Sequence, residues 1–278
     1  MEKIIFIVFQ IQILDSEGVN KMKNIDVSAC VVTYNNENLI RNVLNSIISS
    51  KTKYNVQLFV VDNSSSDKTV KIIEEEFPEV ILIKNKKNLG YGAAHNEAIN
   101  ESKAKYHLII NPDITFGENF IQEAIDYMET HPEVVMFNPD IRDIDGRRKY
   151  PVKATPRLHY ILPRILKWNN KIFDKWRDEY TYRSKFIDIP FDIEVCSGSF
   201  MICKKKALDI VGGFDERYFL YYEDIDLSIM MRKLGKIQCN PNISVVHIGS
   251  RAAYHSKIAR KYMIESMIKF YSKWGWKI

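Results

Sequence analysis

Three carboxylates crowd together in the stretch FLYYEDIDLSIMM: Glu223, Asp224 and Asp226, directly behind a run of aromatic and aliphatic residues. A solvated surface helix has no need of that arrangement. Carboxylates so placed can cap a helix N-terminus, hold a cation, or take a proton from a substrate hydroxyl. Residue types alone leave all three open. A further acid, Asp113, follows the apolar run YHLII, with Pro112 fixing the backbone just ahead of it. His247 closes a later apolar run, ISVVH. One carboxylate and one imidazole, with diphosphate oxygens completing the shell, suit Mg2+ or Mn2+.

Such groups need elements to position them. From Asp26 the chain alternates regularly. VSACVVTY, VQLFVVD, EVILIKN, YHLIINPD and EVVMFNP are apolar runs of strands buried on both faces. Between them, NLIRNVLNSIISS, SSSDKTVKIIEEEF, GYGAAHNEAINES and GENFIQEAIDYMETH carry helical spacing. Strands alternating with helices predict an α/β fold around a parallel, doubly wound sheet. Ligands of such sheets bind beyond the carboxyl ends of the strands. There the sequence places TYNN, DNSSSD, NKKNLGYG and NPD, four polar endings in succession that outline a nucleotide-sized crevice. No G-x-G-x-x-G follows the first strand and no G-x-x-x-x-G-K-[ST] occurs, which disfavours a dinucleotide fingerprint or a P-loop.

From about Arg142 to Ile189 the rhythm lapses into a basic, aromatic insertion of the kind that forms lids and binding loops. Regularity returns with a strand and short helix in VCSGSFMICKKKALDIVGGFDE, a helix opened by the carboxylate cluster, and late strands in IQCNPNISVVHIGS. The tail from Arg251 reads as a basic amphipathic helix. The net charge of +5 excludes little, but thirteen Lys or Arg face five acids between Arg142 and Lys185, and seven face one from Arg251 onward. Such patches suit phosphate-bearing ligands or anionic membrane surfaces. Cys30, Cys196, Cys203 and Cys239 show no metal or disulfide spacing and read as buried thiols of a cytosolic protein. EKIIFIVFQIQIL is too short to span a bilayer and lacks a cleavage site. In a bacterial source, codons for Glu17, Gly18 and Val19 can read as a ribosome-binding sequence just before Met22. Native translation is therefore expected to start there, leaving residues 1–21 as an extension; a short membrane-surface anchor is the competing reading.

In order and spacing, VVTYNNENLI, VVDNSSSD, NLGYGAAHNEAI, NPDI, GSFMICKKKALDIVGGFDERYFLYYEDIDL and VVHIGS resemble family 2 glycosyltransferases of the GT-A fold. They are most similar to bacterial rhamnosyltransferase-type enzymes of surface-polysaccharide synthesis. The resemblance runs from about residue 26 to 272. It implies a Rossmann-like, mostly parallel sheet flanked by helices, with a smaller acceptor-side subregion. The organisation expected is an extension over 1–21, a transferase domain over 22–250 containing the 142–189 insertion, and a C-terminal helix within 251–278.

The resemblance also implies a nucleotide-sugar donor, a divalent metal and inversion at the anomeric carbon. Thr33, Tyr34 and Asn35 stand where the family holds the nucleotide, Asp62 where a carboxylate meets base or ribose, and Asn88, Gly90 and Asn96 in the loop and helix start facing the donor. Asp113 matches the last acid of the family's D-x-D element, while Asn111 replaces the first. Asp113 and His247 are the expected metal ligands for Mg2+ or Mn2+. Asp224 matches the family's base, with Glu223 tuning it or orienting the acceptor, and Asp226 is expected to interact with the helix dipole. Tyr218, Phe219, Tyr221 and Tyr222 read equally as an acceptor platform or as packed core. The acceptor implied is a glycan or lipid-linked saccharide, rhamnose from dTDP-rhamnose the donor sugar favoured, and nucleic acid no partner. The enzyme is expected in the cytoplasm, peripherally at the inner face of the plasma membrane. A domain of the same fold that binds nucleotide sugar without catalysis, or scaffolds an assembly, is the alternative that Asn111 favours.

Overall fold

The computed structural model describes residues 24–157, 160, 171–185, 188–249 and 257–276. The N-terminal extension, its expected start at Met22 and part of the 142–189 insertion fall outside them.

The first half follows the expected alternation. Strands β1 (Val27–Thr33), β2 (Val56–Asp62), β3 (Ile81–Lys84) and β4 (Tyr106–Ile110) run parallel, with helices α1 (Ile40–Ile48), α2 (Thr69–Glu76) and α3 (Tyr91–Glu101) between them. Their continuous apolar runs arise because both faces are covered. Val27, Ala29 and Val31 of β1 pack with Val43, Leu44 and Ile47 of α1. Cys30 and Val32 pack on the opposite face, with Ala94 and Ala98 of α3. Each large apolar side chain withdrawn from water in this way contributes about 1.5–3 kcal/mol.

The second half is less regular. It comprises β5 (Ile114–Thr115), α4 (Phe120–Thr130), β6 (Val134–Arg142), α5 (Lys171–Thr181), a 3-10 turn (Arg183–Lys185), β7 (Phe191–Asp192), β8 (Phe200–Lys204), α6 (Lys205–Val211), α7 (Glu223–Met231), β9 (Lys236–His247) and α8 (Lys257–Trp274). The sheet order is β3-β2-β1-β4-β8-β6-β9-β5, with β7 also paired to β9. Six strands share one direction; β5, β7 and β8 run against it. The sheet is thus mostly parallel, but β8 lies between β4 and β6, which a uniform parallel winding would have made neighbours. The anticipated late strands are one long strand, broken by a register shift between Pro139↔Asn240 and Asp140↔Ser244. Pro241, which has no N–H to give the ladder, sits in that bulge.

Two expectations change. Within the described residues, the insertion carries a helix of its own, α5. The C-terminal helix is not simply amphipathic: Ala259, Ser266, Phe270 and Tyr271 are buried, while Ile258, Ile264 and Ile268 face solvent. All four cysteines are buried free thiols.

Candidate active site

The strand ends converge as parallel pairing requires. Thr33 pairs with Asp62, and Ile110, one residue before Asn111, pairs with Phe200. The carboxyl edge of the sheet therefore gathers residues 33–36, 62–66, 111–113 and 197–199.

On the β1–β2 side the loops brace one another. The Thr33 hydroxyl and the Tyr34 N–H both donate to Asn36 Oδ1, each at 3.0 Å. Asn35 is left-handed (φ 55°), its N–H donating to Ser65 Oγ at 2.9 Å and its Oδ1 accepting the Ser66 N–H at 2.8 Å. Asp62 is buried; Oδ2 accepts the Ser65 N–H at 2.9 Å, while Oδ1 has no protein partner. Tyr34 exposes half of its surface beside this acid, leaving its ring free to stack.

Asn88, Gly90 and Asn96 lie at a seam between the two halves. Asn88 Oδ1 accepts the Gly90 N–H at 2.9 Å. Gly90 has φ 91°, and a Cβ there would overlap the Phe219 carbonyl, which accepts the Tyr91 N–H at 2.9 Å. The close approach this glycine allows is to Phe219. Asn96 spends its amide on the 214–216 segment: Oδ1 accepts the Phe214 N–H at 2.8 Å, and Nδ2 donates to the Phe214 carbonyl at 2.9 Å and to Glu216 at 3.0 Å.

Asp113 and His247 do meet. β5 pairs Ile114 with His247, and the Ile248 N–H donates to the Asp113 carbonyl at 2.8 Å, so both side chains emerge at one place. His247 Nε2 lies 2.8 Å from Asp113 Oδ2. Gly249 closes over the pair, where any Cβ would overlap Asp113 Oδ2, and Lys149 Nζ donates to the His247 carbonyl at 2.8 Å. Two ligands on adjacent corners of an octahedron, each about 2.1 Å from a small dication, lie about 3 Å apart. The pair fits that spacing. Asp113 Oδ1 and Asn111 Oδ1, two residues apart on the same loop, are both buried without a protein partner. Among the described residues no three His, Cys, Asp or Glu side chains enclose an ion. A cation held here would complete its shell from ligand oxygens.

The carboxylate cluster opens α7, and its backbone entry is strained. Tyr221 and Tyr222 are both left-handed (φ 69° and 68°), which costs roughly 1 kcal/mol or more each for non-glycine residues. Glu223 is buried, with Oε2 unpartnered; burial, and then Asp224 beside it, hold its carboxyl well above the usual carboxylate range. Asp224 is half-buried. Its Oδ2 accepts the Gly198 N–H at 3.1 Å and its Oδ1 the Ile225 N–H at 2.9 Å. Burial raises its carboxyl too, opposed by the Lys153 ammonium and by these amides. The Tyr91 hydroxyl donates to the Gly198 carbonyl, and burial together with Glu223, Cys30, Asp224 and Asp113 pushes this phenol well up.

Asp226 lies in the first turn of α7, as expected, and carries further partners. It is buried and accepts from Trp274 Nε1 (2.6 Å), Lys273 Nζ (2.8 Å) and the Tyr218 hydroxyl (3.3 Å), anchoring α8 rather than serving the helix dipole alone. Of the four aromatics, Tyr218 is fully buried and half-buried Tyr222 leans on Phe270 at 5.2 Å, so these two pack in the cluster around α8; Phe219 is half-buried and stacks on Tyr262 at 4.3 Å. Tyr91, Gly198 and Lys153 were not anticipated. The only hint was the CSGS loop, which the Ser197 N–H to Asn138 Oδ1 bond holds in place at 2.5 Å.

Comparison with solved structures defines the class. A mannosyltransferase from Pyrobaculum calidifontis, solved with GDP-Man and Mn2+, superposes with a TM-score of 0.60 at 18% identity, over 90% of this chain and 65% of that one. The fold is the GT-A fold. The glycosyl transferase family 2 model matches residues 28–212, and the chain belongs to that family. The matched stretch ends before Glu223, Asp224 and His247. An N-acetylglucosaminyl-diphospho-decaprenol L-rhamnosyltransferase of Mycobacterium tuberculosis is 30% identical over 219 residues, covering 72% of this chain and 69% of that protein. The rhamnosyltransferase WbbL of Escherichia coli is 25% identical over 229 residues, covering 78% and 81%.

Proposed function

We propose that the protein is an inverting glycosyltransferase that moves a sugar, rhamnose from dTDP-rhamnose in first place, to a hydroxyl of a lipid-linked saccharide in cell-surface polysaccharide synthesis. The observation that carries this reading is Asp224, a carboxylate with raised proton affinity, held by the Gly198 N–H on the same edge as Asp113 and His247. The two relatives, one acting on a diphospho-decaprenol-linked sugar by its name, support the donor and acceptor classes.

The reaction is one displacement. The acceptor oxygen attacks C1 of the donor sugar and its proton passes to Asp224. The bond from C1 to the diphosphate oxygen breaks, and the nucleoside diphosphate leaves with the electron pair, so the anomeric configuration inverts. Mg2+ or Mn2+ at Asp113 and His247, with the side-chain oxygen of Asn111 as a further donor, would neutralise charge on the leaving group. Asp62, Thr33, Tyr34 and Asn35 receive the nucleoside. Glu223, kept protonated, adds no second negative charge beside the base and leaves a hydroxyl for the acceptor.

Transfer from dTDP-rhamnose to a synthetic lipid-diphosphate saccharide tests the reading. Asp224→Asn should lower kcat by at least about a thousandfold with the fold intact. Full activity in that variant overturns the assignment; donor binding without transfer in the native chain would favour a catalytically silent domain, as Asn111 first suggested.

A further inference from the structure

The last helix has two unlike sides. At about 100° per residue, Ser266, Ala259 and Phe270 share one narrow arc, and all three are buried. The opposite arc, about 120° wide, holds Ile264, Lys257, Ile268, Lys261, Ser272, Glu265 and Ile258. Ile258, Ile264 and Ile268 are 66%, 51% and 51% exposed. Trp276, 54% exposed, stacks on Tyr271 at 4.7 Å just beyond the helix end. Of the thirteen large apolar residues exposed among the described ones, these four and Met263 lie in the last twenty. A hydrophobic ridge of this kind is a cost to a protein that leaves it in water.

We propose that this outer face of α8 docks on an anionic lipid bilayer. The charge argues for that occupant. The outer arc and its margins carry Lys257, Arg260, Lys261 and Lys269 against one acid, Glu265, which pairs with Lys261 at 3.8 Å; Lys273 turns inward to Asp215 and Asp226. A second copy would present the same positive face and be repelled. Lys257 and Lys261 are set among the exposed isoleucines of that arc. A bilayer surface takes isoleucines at the acyl boundary, lysine stems that snorkel toward phosphates, and a tryptophan at headgroup depth. Among the described residues no helix is long and apolar enough to cross a membrane, so contact through them is peripheral.

The inner side of the same helix grips the segment that leads to the base. Ser266 Oγ donates to the Leu220 carbonyl at 2.8 Å, Lys269 Nζ to the Arg217 carbonyl at 2.6 Å, and Tyr262 stacks on Phe219. Docking through the outer side therefore sets the acceptor side of the site at the lipid surface. The inference rests on the lipid-linked acceptor for its purpose, but its geometry stands without it.

Flotation with vesicles tests it, with no donor or acceptor present, so its failure is separate from failure of the transfer reading. The full chain should bind phosphatidylglycerol vesicles, bind phosphatidylcholine vesicles at least about tenfold more weakly, and release as salt rises. Ile264→Glu with Ile268→Glu should reduce binding at least about tenfold, and Lys257→Glu with Lys261→Glu should remove the preference for anionic lipid. Because these residues are exposed, the thermal midpoint and transfer to a water-soluble acceptor should not change. Absence of binding, equal binding to both lipids, unchanged binding in the isoleucine variant, or a dimer that this variant breaks would each overturn the proposal.

Discussion

Asp226 accepts the indole N–H of Trp274 at 2.6 Å, joining the helix that bears Asp224 to the last helix of the chain. Lys273 adds a bond to the other carboxylate oxygen and a second one to Asp215, which Arg217 also holds. The residues between Asp215 and Asp226 are thus fastened at both ends to α8, and among them are the two left-handed tyrosines. A strained backbone persists only where its surroundings over-determine it.

Trp274→Phe keeps an aromatic ring, though a smaller one, and removes one donor. It should cost about 1–3 kcal/mol in urea unfolding, because a buried carboxylate oxygen loses its shortest partner. If the clamp sets the base, kcat should fall several-fold with donor KM unchanged. A variant as stable and as active as the parent would show that the bond positions nothing.

The Asp113–His247 pair yields a second expectation. Asp113→Asn or His247→Ala should weaken Mn2+-dependent binding of a nucleoside diphosphate by about tenfold or more, read by calorimetry. Asn111→Asp should act in the opposite sense, since it would put charge on an oxygen that is buried without a partner. Binding that ignores both Mn2+ and these substitutions would remove the cation from this site.

Two buried histidines predict acid sensitivity. His95 packs edge-on against Tyr91, with neither ring nitrogen bonded; His107 meets Ser28 Oγ at 2.7 Å through Nδ1 and leaves Nε2 unpartnered. Burial pushes His95 well below its ordinary value and His107 down to about 3. Both rings are neutral in the fold, while the unfolded chain takes up protons once pH falls below about 6.5. Stability is therefore full above that pH and declines as pH drops toward 3, at about 1.4 kcal/mol per pH unit for each histidine. His95→Phe should leave stability near pH 7 almost unchanged and remove about one proton from the slope between pH 6 and 5, measured by urea unfolding. An unchanged slope would clear His95.

What the sequence disclosed, and what it hid, divides along range of interaction. Runs such as Val27–Thr33 are legible because burial on both faces leaves a local record. Asp113 was legible because a strand end needs no partner to be recognised, and His247 because its strand ended the same way. The insertion of β8 between β4 and β6 left no such trace, since pairing order is not written in the local period. Asp226 looked like a helix-start acid because Lys273 and Trp274 lie nearly fifty residues away. The bonds of Asn96 to the 214–216 segment left no local trace either, since it is Gly213, left-handed and without a Cβ, that lets the Phe214 backbone approach it. Lys153 is a further case: it sits in the aperiodic insertion, and only the bridge Lys153↔Val195 brings it near Asp224.

Asp224 and Glu223 supply the last prediction. The Lys153 ammonium favours ionised Asp224, so its removal should raise the proton affinity of the base. Transfer needs the ionised carboxylate, and activity is lost as pH falls through its pKa. Lys153→Met should therefore move the acid limb of the kcat profile to higher pH, leaving the plateau within a few-fold of the parent. Glu223 carries the opposite sign in stability. Its folded carboxyl is raised, so the neutral form is favoured by folding; that contribution is full below the unfolded value near 4.3 and is lost as pH rises through the folded value. Glu223→Gln removes an unpartnered buried charge and should stabilise by about 1–3 kcal/mol where Glu223 is ionised, the gain vanishing in acid. A variant less stable than the parent at high pH would mean that Glu223 is ionised and paired in the fold, and its proposed role as a hydroxyl donor would fall with that result.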